Sequence, residues 1–124
     1  IRVVNDQHGS ATWSYRLALQ MRKILEAGAC GLFHATAEGH STWYELARFF
    51  LMQMRVDFQM VPCTTEEFPT PAVRPANSIL ANARLKQKGI HVMENWQDDV
   101  AAFAGRHGEQ LLAEARQAGR GGVQ

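Results

Sequence analysis

Ile1-Arg2-Val3-Val4-Asn5-Asp6-Gln7-His8-Gly9-Ser10-Ala11-Thr12 opens the chain, and a helical repeat follows it. Ile1 to Val4 is a short apolar run suited to a strand. Asn5 to Ser10 is dense in turn formers and reads as a loop. Trp13, Leu17, Met21, Ile24 and Leu25 then recur at the three- and four-residue spacing of one helix face. Ser10 or Thr12 can accept from the free N–H groups at the start of that helix, and Gly28 can close it. A strand, a polar loop and a helix in this order are the repeating unit of α/β proteins.

The same alternation continues downstream. Gly31 to Ala37 (GLFHATA) reads as a buried strand, and Glu38 to Ser41 as a turn. Thr42 and Glu45 stand at the spacing of a capping box, in which each side chain serves the other's backbone N–H. The helix they open carries Trp43, Leu46, Ala47, Phe50 and Met54 on one face, so Trp43 is expected in the core, while Tyr44 is free to be exposed. Val56 to Pro62 alternates apolar and polar residues, as a half-buried strand does. Ser78 to Lys88 reads as a helix stopped by Gly89. Asn95 is the expected cap of a last helix, with Asp98 and Asp99 where negative charge suits the helix dipole. Trp96, Val100, Phe103, His107 and Leu111 mark its inner face. Gly105 and Gly108 predict a break, and Gly119 to Gln124 a disordered tail. The fold class is therefore α/β with some parallel pairing, built on three short strands that make a narrow, unfinished sheet.

Between the third strand and the next helix lies Cys63 to Asn77 (CTTEEFPTPAVRPAN), holding Pro69, Pro71 and Pro75. Proline fixes its own φ and disfavours helix in the residue before it, so this is an extended loop. Irregular segments this long in a small domain usually serve function. Arg74, braced between Pro71 and Pro75, suits bidentate binding of phosphate or carboxylate, or else a structural ion pair. The Asp6–Thr12 loop lies where α/β folds bind ligands, next to helix-start N–H groups that attract anions. An ordinary capped turn explains it equally well, and spacing alone leaves both readings open.

Composition excludes several function classes. The 124 residues are 46% hydrophobic and 20% charged, which matches a globular domain and not a disordered chain. Thirteen Lys and Arg balance twelve Asp and Glu, a net charge of +1 that lacks the basic surplus of a nucleic-acid binder. The most basic stretch, Arg84 to Lys88, reads as a solvated helix face. No apolar run approaches the ~18–20 residues needed to span a bilayer, and no signal peptide is visible. Cys30 and Cys63 form no CxxC pair and are expected as buried free thiols in a reducing, cytoplasmic setting. The start at Ile1, without methionine, reads as a truncation, a proteolytic product or a subcloned domain.

Catalytic patterns are missing. The chain contains no GxGxxG, P-loop, GxSxG or HExxH motif. His34 reads as a core histidine, and Glu66 and Glu67 as loop solvation. The residues alone give an α/β piece with two candidate anion-facing loops and no catalytic residue.

Five segments nonetheless resemble, in order, the dTDP-4-dehydrorhamnose reductases. Val3–Thr12 is similar to their V-x-D-Q-x-G-x-P-T. Gly31–Gly39 is similar to G-[IL]-[YF]-H-x-x-x-x-G, and Thr42–Ala47 to the helix start that follows. Thr65–Leu80 resembles T-x-x-[YF]-P-T-P-A-x-R-P-x-x-S-x-L, and Asn95–Asp98 the late tryptophan helix. The likeness covers about residues 1–104, assigned to a substrate-binding C-terminal region. Residues 105–124 are left as a helical extension and tail.

The resemblance implies the C-terminal part of an extended short-chain dehydrogenase, a Rossmann-type fold whose core is incomplete here. Members of that family reduce the C4 keto group of dTDP-4-dehydro-L-rhamnose with NADPH or NADH. A Tyr-x-x-x-Lys pair protonates the developing alkoxide. Four residues after Tyr15 stands Leu19, and four after Tyr44 stands Arg48, so that pair is absent. Ala11 replaces the family's proline. The resemblance thus implies a substrate portion, inactive and cofactor-free alone, whose Gln7, Ser10, Thr12 and Arg74 face a dTDP-sugar. Its partner is a Rossmann half outside this sequence, or a second copy in a homodimer. A non-catalytic regulatory subunit or a stand-alone binding module of the same descent is the alternative.

Overall fold

The computed structural model describes residues 1–120, the last two by backbone alone. In chain order its elements are β1 (Arg2–Val4), β2 (His8–Gly9), α1 (Ser14–Glu26), β3 (Ser41–Thr42), α2 (Trp43–Gln53), β4 (Val61–Cys63), α3 (Ala83–Gln87) and α4 (Trp96–Arg120). β1 pairs in parallel with β4, Val4 opposite Cys63, and β2 pairs antiparallel with β3, His8 opposite Thr42. The parallel pairing is the one expected of an α/β chain. It is confined to β1 and β4, because the strands form two separate two-stranded sheets and not the single narrow sheet expected.

One expected strand is replaced by extended backbone and another is formed only at its end. Residues 31–37 form no ladder, because side chains take over the bonding a neighbouring strand would supply. Asn82 Oδ1 accepts from Thr36 N at 3.0 Å, and its Nδ2 donates to Thr36 O at 2.8 Å. Thr12 Oγ1 accepts from Ala37 N at 3.0 Å, and Arg84 Nη1 donates to Leu32 O at 2.9 Å. Backbone polar groups need partners, but these need not be backbone. His34, off any sheet, is exposed and is no core histidine. In the second case Val56, Phe58 and Met60 are half-buried and Asp57 and Gln59 exposed, as the alternation requires, yet pairing begins only at Val61.

α1 lies rolled relative to its apolar stripe. Its buried residue is Gln20, while Met21 and Leu25 are 56% and 78% exposed. Gln20 Nε2 donates to Ile90 O, and its Oε1 accepts from Val92 N, both at 2.8 Å. A glutamine thus plays the part of a strand edge toward 90–92. Arg16 also faces inward and meets Asp99. Neither Ser10 nor Thr12 caps this helix: the cap position is Trp13, with no side-chain bond. Gly28 closes it at φ +58°, a left-handed turn that glycine adopts without strain.

α2 begins as expected. Thr42 Oγ1 accepts from Glu45 N at 3.1 Å, and Glu45 Oε2 accepts from Thr42 N at 2.8 Å. Trp43 departs from the expectation of a core residue, being 54% exposed. It sits at the first helical position, ahead of the turns where Phe49 stacks on Trp96 and Phe50 on Phe103 of α4. α3 starts at Ala83 and not Ser78, because Ser78 N is held by His8 O at 2.9 Å in an extended run.

At the head of α4, Asn95 Oδ1 accepts from Gln97 N at 2.9 Å, the expected cap. The helix passes unbroken through Gly105 and Gly108. A Cβ at Gly108 would come 3.1 Å from Met54 Sδ, so the glycine allows α2 and α4 to approach closely. The helix includes residues 119 and 120; the rest of the expected disordered tail, 121–124, lies outside the described residues. Both cysteines are free as expected, but only Cys63 is buried. The fully buried side chains Leu85, Gln20 and Asp99 show a small core knit as much by polar contacts as by apolar ones.

Candidate functional site

Asp6 ties the first loop to the proline-rich one. Its carboxylate accepts from Thr65 N at 2.9 Å and from Thr65 Oγ1 at 2.6 Å. These bonds, the hydroxyl's first, hold the Asp6 carboxyl below its ordinary pKa. Gln7, buried beside it, donates from Nε2 to the same Thr65 Oγ1 at 3.0 Å. One turn further along, His8 N donates to Ala76 O at 2.8 Å, and Ser78 N donates back to His8 O. His8 is thereby zipped in parallel to Asn77 and antiparallel to Thr42. At Gly9 a Cβ would stand 2.9 Å from Ser78 Oγ, a distance only glycine tolerates without a shift.

These contacts bring the two segments singled out by sequence to one cleft of about 270 Å³. Gln7, His8 and Ser10 line it from the first loop, Arg74 and Ser78 from the second, and Trp43 from the start of α2. Ser10 Oγ donates to Gly39 O at 2.9 Å, which anchors the loop floor to the turn before β3. Arg74 is exposed and enters no ion pair among the described residues. The proline-braced guanidinium is therefore not spent on a structural partner. Glu67, in the same loop, is engaged: it accepts from Thr64 N at 2.8 Å and pairs with Arg2 at 2.9 Å. The Thr64 bonds first, then Arg2, lower its carboxyl pKa.

Thr12 does not join the cleft. Its hydroxyl donates to Ser10 O and accepts from Ala37 N, and it faces a neighbouring apolar groove with Trp13, Phe50 and Phe103. Its part is to position the loop. His8 and Ser78 belong to the two suspect loops but were not expected as site residues, and Trp43 was expected in the core; all three line the cleft. The only signal for Trp43 was its place beside Tyr44 at a helix start. Among the described residues no group of three or more His, Cys, Asp or Glu is arranged to hold a metal ion.

Residues 1–108 match the RmlD substrate binding domain family. The chain belongs to this family. A relative from Streptomyces griseus, dTDP-4-dehydrorhamnose reductase, is 33% identical over 121 residues, covering 90% of this chain and 40% of its own. Among solved structures, a dTDP-4-dehydrorhamnose reductase from Clostridium acetobutylicum superposes with a TM-score of 0.82 at 33% identity, covering 85% of this chain and 38% of that one. The Bacillus anthracis enzyme, solved in complex with NADP, superposes at 0.80 with 30% identity, over 83% of this chain and 37% of that one. This RmlD substrate binding domain thus spans between a third and two fifths of the length of the relatives it matches. It has the corresponding part of the extended short-chain dehydrogenase fold, with the two converging loops inside the matched residues.

Proposed function

We propose that the chain is the substrate-binding portion of a dTDP-4-dehydrorhamnose reductase, holding the sugar nucleotide while the rest of a longer polypeptide supplies hydride. The observation that carries this reading is the convergence of the Asp6–Ser10 loop and the Arg74 loop on one cleft. Gln7 and Ser10 line the polar floor, and Arg74 offers an uncommitted guanidinium to the diphosphate. Thr12 supports the floor and does not touch the ligand.

The residues present do not fit a nicotinamide dinucleotide. β1 leads into Asn5–His8 and not a glycine-rich turn, and neither tyrosine has a lysine four residues on. NADPH or NADH is accordingly assigned to the part of the protein that lies outside this sequence, and the chain alone is expected to consume none. No helix among the described residues is long and apolar enough to cross a membrane. The two free thiols accord with a cytoplasmic setting. Met21 and Leu25, exposed on α1, are assigned to contact with the remaining polypeptide, with a homodimer as the competing cover.

Arg74→Ala in the full-length protein tests the cleft. The Michaelis constant for the dTDP-sugar should rise about tenfold, ~1.4 kcal/mol of lost binding, with kcat little changed. Unchanged kinetics reject the assignment.

A further inference from the structure

The three tryptophans have different surroundings. Trp96 is 6% exposed, with its ring 5.3 Å from Phe49. Trp13 lies 5.0 Å from Tyr15 and 5.8 Å from Phe103, and the Arg106 guanidinium sits 5.1 Å above it. Trp43 takes part in no ring pair or cation–π contact among the described residues, and more than half of it is exposed. A single exposed apolar side chain is unremarkable in itself. This one lines the cleft that also holds Arg74.

The backbone beneath the ring is firmly held. Trp43 directly follows β3, whose Thr42 pairs with His8, caps α2 and donates through Oγ1 to Asn5 Oδ1 at 2.7 Å. The indole is thus an exposed aromatic face on a fixed mount. Ala11 and Leu46 extend its apolar wall, while His8, Ser78 and Arg74 supply polar groups to the same cleft. A cleft with a free aromatic face and an uncommitted guanidinium matches a ligand that has a flat ring and an anionic group. Nucleoside diphosphates are of that class: bases of any identity stack on aromatic side chains, and Arg binds phosphate.

We propose that Trp43 is the base-stacking platform of this cleft, taking the pyrimidine face of a nucleoside diphosphate whose phosphates lie against Arg74. The inference rests on the substrate cleft proposed above and adds to it the element that recognises the nucleoside. It also accounts for a tryptophan left out of the core on a helix whose later turns pack Phe49 and Phe50 against α4.

The experiment is calorimetric titration of the full-length protein with thymidine diphosphate, dTDP-glucose and inorganic pyrophosphate. The proteins are the unaltered form, Trp43→Ala, Trp43→Phe and Arg74→Ala. Trp43→Ala should weaken thymidine diphosphate at least about tenfold and leave pyrophosphate within twofold, with Trp43→Phe retaining most of the affinity. Arg74→Ala should weaken all three ligands.

If Trp43→Ala binds thymidine diphosphate normally while Arg74→Ala does not, the stacking role is wrong and the anion cleft stands. If Trp43→Ala weakens only dTDP-glucose, the ring faces the hexose and the proposal is overturned. If Arg74→Ala also binds normally, or the unaltered protein binds no thymidine diphosphate, the cleft reading fails and takes this inference with it. Should Trp43→Ala not fold, fluorescence decides. Thymidine diphosphate must quench the unaltered protein more than Trp43→Phe, and equal quenching refutes stacking.

Discussion

Replacing Gln20 with leucine tests the least expected feature of the core. Gln20 is 0% exposed and fills both of its hydrogen-bonding roles on one segment, donating to Ile90 O and accepting from Val92 N at 2.8 Å. Leucine has similar bulk and greater apolarity, so a packing-only view makes Gln20→Leu neutral or stabilising. The structure implies the opposite, because one carbonyl and one N–H lose their partners in a part-buried setting. Each orphaned group costs ~1–3 kcal/mol, and the added apolar burial returns part of it. The net loss should be about 2–4 kcal/mol, which at this chain length lowers Tm by roughly 8–16 °C. Urea unfolding and thermal melting followed by circular dichroism would measure it, and a loss under about 1 kcal/mol would refute the reasoning. Gln20→Glu adds a pH signature. The introduced carboxyl can accept from Val92 N but can face Ile90 O only when protonated, which raises its folded-state pKa above the ordinary ~4.3. The stabilising contact is then fully present below the unfolded pKa and lost as pH rises through the folded one. A deficit relative to the unaltered protein that does not change with pH contradicts this geometry.

Other contacts give further expectations. Asp99 is 1% exposed, and its Oδ1 takes both Nε and Nη2 of Arg16 at 2.9 Å. Its Oδ2 has no partner among the described residues. Arg16→Met should cost ~3–5 kcal/mol in urea unfolding, with most of it recovered in Arg16→Met/Asp99→Leu, since removing one partner strands a buried charge and removing both does not. Equal loss in the single and double variants would show that the pair is not the source. Glu38 is held below its ordinary pKa, first by the Asn82 amide and then by Lys86 and His91. His91 Nε2 lies 2.8 Å from Glu38 Oε1 without hydrogen-bond alignment, so the weight falls on Asn82 and Lys86. Stability from this group is present above the unfolded pKa and lost as pH falls through the depressed one. Acid titration of Glu38→Gln should therefore show a flatter loss at low pH than the unaltered protein, and superimposable acid limbs would discount the network.

Features decided by neighbours in sequence were legible in advance. The Thr42–Glu45 capping box, the Asn95 cap and the left-handed Gly28 each depend on residues within a few positions and on backbone chemistry that tertiary structure seldom overrides. The two suspect loops were also visible, because proline and turn formers constrain the chain locally. What failed was inference about facing and pairing. The apolar run at 31–37 looked like a strand, yet its backbone is satisfied by Asn82, Arg84 and Thr12, one of them a cap candidate for the first helix. Periodicity pointed to a helix at 14–26 and placed Trp13, Leu17 and Ile24 inward, but Met21 and Leu25 turn outward, since two long-range bonds and an ion pair draw Gln20 and Arg16 inward.

Local chemistry, then, settled where helices begin, where the chain must turn, and which short segments could carry an anion-binding arginine. Only the packed molecule settled how α1 is rolled, that Trp43 is exposed on the wall of a cleft, and that the loops at 6–10 and 74–78 share it. The physical reason is range. Caps and turns are closed by partners three or four residues away, whereas these choices rest on hydrogen bonds joining residues about sixty to seventy positions apart, such as Gln7 to Thr65 and His8 to Ser78.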